Sequence, residues 1–203
     1  AGRTDAGVHA RMMVAHFDWG PGPLPEGFLH RLNAYLPEDI AIRSIRPVRE
    51  DAHARFDAVS RTYQYYLVQE KNPFRLQDAY WVKNPLDFEA MNLAASYMLE
   101  FEDFKSFSRT HTDVKTFLCD LKEACWEQSG DCWVFTITAN RFLRNMVRAV
   151  VGTLLLVGKG QQRPEDVKGI IKSRDRTRAG ASVPAKGLYL TEIRYPQGTY
   201  IHG

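Results

Sequence analysis

Cysteine is scarce in this sequence: three residues in 203, Cys119, Cys125 and Cys132, no two of them two residues apart. The odd count and the spacing exclude a disulfide framework and a zinc knuckle, and predict buried or half-buried thiols in a reducing compartment. Long apolar runs are also lacking. The longest, residues 149–157 (AVVGTLLLV), is bounded by Arg148 and Lys159 and falls far short of the roughly 20 residues that cross a bilayer. Arg3 and Asp5 stand where the apolar part of a signal peptide would begin, so a cytoplasmic location with no membrane partner is expected. There is no low-complexity tract and no internal repeat. No His/Cys/Asp cluster has metal-ligand spacing, and His9 and His16 read as structural. The chain opens at Ala1-Gly2 with no methionine, and is expected to be a fragment.

Net charge is small too, at +3, but it is unevenly spread. Residues 141–178 hold ten Lys/Arg against Glu165, Asp166 and Asp175, a balance of +7 that leaves −4 for the remainder. Arginines outnumber lysines 18 to 9, which suits bidentate phosphate contacts, so the segment reads either as the footprint of a polyanion or as a solvated basic helix face.

What is abundant is core material: 44% of residues are hydrophobic and 12% aromatic, enough for one large domain or two small ones. Residues 12–19 and 40–45 read as strands, as do 62–68, where Tyr63, Tyr65 and Leu67 share a face. Residues 116–127 and 132–139 read as a hairpin around Ser129-Gly130-Asp131, and 188–195 as a last strand. Helices are predicted from Pro25 to Leu36, over 86–99, from about Phe142, and after Pro164. Leu143, Met146, Val147, Val150, Val151, Leu154 and Leu155 form the buried stripe of the third, and Arg141, Arg144 and Arg148 fall three and four apart on another face of it. Strands and helices interleave without regular alternation. That pattern predicts an α+β fold, a mixed but largely antiparallel sheet flanked by helices. Asn72-Pro73 and Asn84-Pro85 interrupt the pattern and suggest subdomains 1–72 and 73–203.

The opening segment is Gly2-Arg3-Thr4-Asp5-Ala6-Gly7-Val8-His9-Ala10. Two glycines bracket a carboxylate with small neighbours, a tight loop that a substrate can approach closely; equally, such an Asp can be a turn former or helix cap. The string closely resembles the active-site signature of the TruA-type tRNA pseudouridine synthases. Further blocks follow in the family's order: Arg61-Thr62-Tyr63-Gln64-Tyr65, Asp103-Phe104-Lys105-Ser106-Phe107, Asn140 through Gly152, and Val183 through Leu190.

The resemblance implies an isomerase that converts uridine to pseudouridine in the anticodon stem-loop of tRNA (tRNA positions 38–40), acting as a symmetric homodimer without cofactor or metal. It makes Asp5 the catalytic carboxylate, Arg148 its counter-charge, and Tyr63 the ring beside the target uracil; the bland alternatives are a phosphate-binding Arg148 and a core Tyr63. It implies an RNA-binding cleft in that fold, and gives Arg3, Thr4, Arg141, Arg144 and Leu190 to the RNA. Relatives carry a further segment upstream of the motif. Two rivals remain: a non-catalytic RNA-binding module on the same scaffold, which could dispense with Asp5, and a hydrolase with a lone Asp nucleophile, which would need a second acid or metal ligands.

Overall fold

The structure is a computed structural model that describes residues 4–109 and 114–201. In chain order its elements are β1 (His9–Ala10), α1 (Phe28–Tyr35), β2 (Ser60–Val68), β3 (Tyr80–Trp81), α2 (Phe88–Met98), β4 (Leu121–Ser129), β5 (Cys132–Ala139), α3 (Met146–Gly158), α4 (Asp166–Ser173) and β6 (Leu188–Arg194). The strands form one sheet in the order β1-β6-β2-β5-β4, with β3 paired to the end of β2. The long pairings, β2 with β5 and β6 and β4 with β5, are antiparallel; only short β1 and β3 pair in parallel. The α+β expectation therefore holds. The division at 72/73 does not follow the sheet, because β2 on one side of it lies between β5 and β6 on the other.

One face of the sheet carries the core. Tyr65 and Leu67 from β2 and Phe135 and Ile137 from β5 are fully buried against α3, where Val150, Val151 and Leu154 are also sealed. Eleven of the thirteen residues of α3 are buried, as its all-round apolar composition requires. The opposite face is polar: Thr62 Oγ1 and Thr138 Oγ1 lie 2.9 Å apart and Thr138 Oγ1 donates to Glu123 at 2.9 Å, the alternation of a half-covered antiparallel sheet. The segment Asp103 to Phe107 plugs into the core through Phe104 and Phe107, while Ser106 Oγ donates to Ile170 O at 2.7 Å. Cys119 and Cys132 are buried and unbridged, and burial pushes the Cys119 thiol up to about 11. No helix of the described residues is long and apolar enough to cross a membrane.

Four expectations are corrected. Residues 12–19 form no strand: Arg11 N and Met12 N both donate to Leu190 O, which ends the regular ladder with β6 at Ala10. Residues 40–45 form none either, because the Asn33 side chain plays the partner's part, accepting from Ile42 N at 2.7 Å and donating to Ile42 O at 2.8 Å. The first arm of the hairpin begins at Leu121, not 116. Finally, α3 starts at Met146, because Asn145 takes a left-handed conformation (φ 66°) that interrupts a helix beginning at Phe142.

Where α3 meets the segment before β6, two backbones touch. A Cβ on Gly152 would fall 1.8 Å from Ala181 O, and one on Gly180 would fall 2.5 Å from the Gly152 backbone. Buried Thr153 bridges the same contact, donating to Ala149 O and accepting from Gly180 N at 2.8 Å. Gly152→Ala should therefore force the strands of chain apart and destabilise the protein by about 1–3 kcal/mol, read as a lower midpoint in urea unfolding; Gly169→Ala, where a Cβ meets nothing within 4 Å, should be neutral or stabilising.

Candidate active site

The segment after Thr4 is a tight turn: Val8 N donates to Asp5 O at 3.2 Å and Gly7 adopts φ 79°, a conformation that favours glycine. The turn feeds β1, which lies beside β6 in register His9 with Tyr189, so the edge of the sheet fixes the position of Asp5. Across from it, Arg148 projects from the first turn of α3. Its Nη1 donates to Asp5 Oδ2 at 3.1 Å and its Nε to Val183 O at 2.7 Å, while its own backbone carbonyl accepts from Val183 N. The side chains of Arg148 and Asp5 are 21% and 28% exposed, shielded enough to feel one another and open enough to meet a ligand. A partly exposed pair of this kind adds little net stability; its effect is to aim the carboxylate.

Tyr63 stands on β2, half-buried, with its ring edge-on to Phe142 at 5.2 Å. Burial pushes its phenol above the usual range; Arg61 opposes the shift and the charge of Asp5 adds to it, so Tyr63 stays a neutral hydrogen-bond donor at physiological pH. Tyr65, two residues on, is fully buried and donates to Pro184 O at 2.9 Å. It is a core tyrosine that holds the loop before β6, and Gly187 lets that loop pass, since a Cβ there would lie 2.8 Å from the Tyr65 ring.

These groups open into a cleft of about 1560 Å³ whose lining includes Thr4, Asp5, Tyr63, Arg148 and six further arginines: Arg55, Arg61, Arg109, Arg141, Arg144 and Arg176. Asp5 is the sole carboxylate among the described lining residues. The arginines differ in what they hold. Arg61 gives its donors to the carbonyls of Arg55, Ala58 and Asn140, and Arg176 to those of Ala179 and Gly180 and to Ser182 Oγ; both brace the walls. Among the described residues, no side-chain hydrogen bond or ion pair engages Arg141 or Arg144, and both line the cleft.

Arg141 and Arg144 reach the cleft from the loop before α3, not from a shared helical face with Arg148, because Asn145 breaks the helix. Arg3 lies outside the described residues. Leu190 is corrected: on β6 between β1 and β2 it is fully buried and does not line the cleft, whereas Leu188 does. His9 Nε2 lies 3.0 Å from Gln77 O, and His16 Nδ1 accepts from Ala54 N at 3.2 Å, which makes both structural. No group of three or more His, Cys, Asp or Glu among the described residues could hold a metal ion. Arg55, Phe56 and Arg109 were not expected at the site. They sit in irregular segments without periodicity, and only the neighbouring block from Arg61 to Tyr65 hinted that this stretch of chain was involved.

Residues 94–196 match the family model described as tRNA pseudouridine synthase. The chain is 53% identical over 198 residues to tRNA pseudouridine synthase A of Parabacteroides distasonis, an alignment covering 97% of this chain and 79% of that one. It is 52% identical over 199 residues to the Bacteroides fragilis protein of that name, with the same coverage. Against the Bacillus subtilis protein, also so named, identity is 38% over 197 residues, covering 96% and 80%. Similarity at this level extends along nearly the whole chain, and the chain belongs to the tRNA pseudouridine synthase family.

Proposed function

We propose that this protein isomerises uridine to pseudouridine in tRNA, with Asp5 as the acting carboxylate. The observation that carries the reading is the pairing of Asp5 with Arg148 at 3.1 Å in a cleft where it is the one described carboxylate among arginines. The reaction breaks the bond from ribose C1′ to uracil N1, turns the base, and joins C1′ to C5; C5 loses its hydrogen and N1 gains one. Nothing is oxidised and no outside group enters, so no cofactor is required. A carboxylate can attack C1′ or the ring, or shield positive charge that develops on the ribose. Held by Arg148 on one oxygen, Asp5 keeps the other for that task.

A uridine in a stem must leave the stack before its glycosidic bond can be reached, and a cleft lined by arginine favours the phosphates on either side of it. Tyr63, held neutral, supplies a ring against the uracil and a hydroxyl that donates. The anticodon stem-loop as the target, positions 38–40 within it, action as a homodimer and a cytoplasmic location belong to the same proposal and rest on the family resemblance.

Asp5→Asn should lower the single-turnover rate at saturating protein by roughly a thousandfold or more, read as tritium released from tRNA labelled at uracil C5. Its tRNA affinity should change by no more than about threefold, because phosphate contacts dominate binding. A rate near that of the unaltered protein would refute the assignment. The arginines should then divide into two classes. Arg148→Ala should depress the saturated rate, with Arg148→Lys a partial rescue. Arg141→Ala and Arg144→Ala should leave that rate near normal, weaken binding, and each reduce the slope of log affinity against log salt by about one unit.

A further inference from the structure

Phe56 is 72% exposed and lines the same cleft as Asp5, although a phenyl ring in water normally retreats into a core. The backbone around it prevents that. His53 Nδ1 accepts from Arg55 N and Phe56 N, and Asp57 Oδ2 accepts from His53 N at 2.9 Å and also from Arg49. Arg61 ties the Arg55 and Ala58 carbonyls to the cleft wall, and Tyr195 Oη donates to Ala54 O. The ring is the outer member of a short stack: Phe56 lies on His53 at 4.2 Å and 30°, and His53 in turn meets His16 at 4.6 Å. Exposed Arg55 rests over the same ring, 5.2 Å from its centroid, with no carboxylate partner among the described residues.

We infer that Phe56 is a stacking platform for a base flanking the reacting uridine, with Arg55 taking the phosphate beside it. This rests on the proposed action on RNA. A rigid aromatic face next to an available guanidinium is the combination by which unstacked nucleotides are held, since every base has a π-face and brings a phosphate with it. When a uridine leaves its stack, its neighbour loses a contact, and Phe56 supplies a substitute at the mouth of the cleft. The flanking cations favour a nucleotide over an apolar protein partner, which would find Phe56 and exposed Val59 beside arginines.

The test uses anticodon stem-loop RNAs in which 2-aminopurine replaces one or other base flanking the target uridine. With the unaltered protein, fluorescence at one flank should be quenched on binding. Phe56→Ala should abolish that quenching and lower kcat/KM about tenfold, mainly through KM; Phe56→Trp should restore both, whereas Phe56→Leu, which keeps apolar bulk without a π-face, should not. Quenching and kcat/KM unchanged in Phe56→Ala, or rescue by leucine equal to that by tryptophan, would overturn the inference. Pseudouridine formation by the unaltered protein on the same RNAs is scored separately. Its absence counts against the proposed activity, whereas normal formation that is indifferent to Phe56→Ala counts against the platform alone.

Discussion

Arg148 is the point on which the site depends. One guanidinium joins segments that lie at the two ends of the chain: Nη1 engages Asp5 at the start, Nε engages Val183 near the finish, and its backbone carbonyl accepts from Val183 N. The joint works only because the segment before β6 can lie directly against α3, and that approach is made by Gly152 facing Gly180 without side chains between them. Tyr65 then fixes the same segment from the sheet side by donating to Pro184 O. The geometry of the Asp5–Arg148 pair is thus a consequence of core packing, and a carbon added at a glycine remote from the cleft would be felt at Asp5.

The electrostatics of the cleft follow the same economy. Seven arginines line it, yet their roles separate by what already holds them: Arg61 and Arg176 are committed to backbone carbonyls, Arg148 to Asp5 and Val183, while Arg141 and Arg144 have no side-chain partner among the described residues. Counting basic residues along the sequence does not make that separation. It is the guanidinium groups not already committed to the protein, Arg141, Arg144 and Arg55 among them, that release counterions on meeting a polyanion, so the salt dependence of binding should be smaller than seven arginines would suggest.

Much of the architecture was legible in the sequence. The periodicity of α2, the hairpin of β4 and β5 and the alternating β2 encode burial on one face, and the apolar run of α3 encodes burial nearly all round; burial is what such patterns report. Residues 12–19 and 40–45 misled because alternation predicts a surface, not a partner; one segment follows the end of the ladder with β6 and the other is satisfied by Asn33. The shared face of Arg141, Arg144 and Arg148 failed on a single residue, Asn145 at positive φ. Asp5 and Arg148 are 143 positions apart, so no local spacing could join them, and only resemblance to a family brought them together. Phe56 and Arg55 carry no pattern, because an irregular turn held by side-chain hydrogen bonds of His53 and Arg61 has no periodicity to read.

If this cleft takes a tRNA uridine and returns pseudouridine, the protein needs no other agent to do so. The most direct measurement is to incubate the protein alone with an unmodified tRNA transcript, label pseudouridine with a carbodiimide, and map the stops by primer extension. New stops confined to uridines 38–40 of the anticodon stem-loop are the predicted result. A transcript that binds to the protein yet acquires no pseudouridine anywhere would rule out the proposed isomerisation.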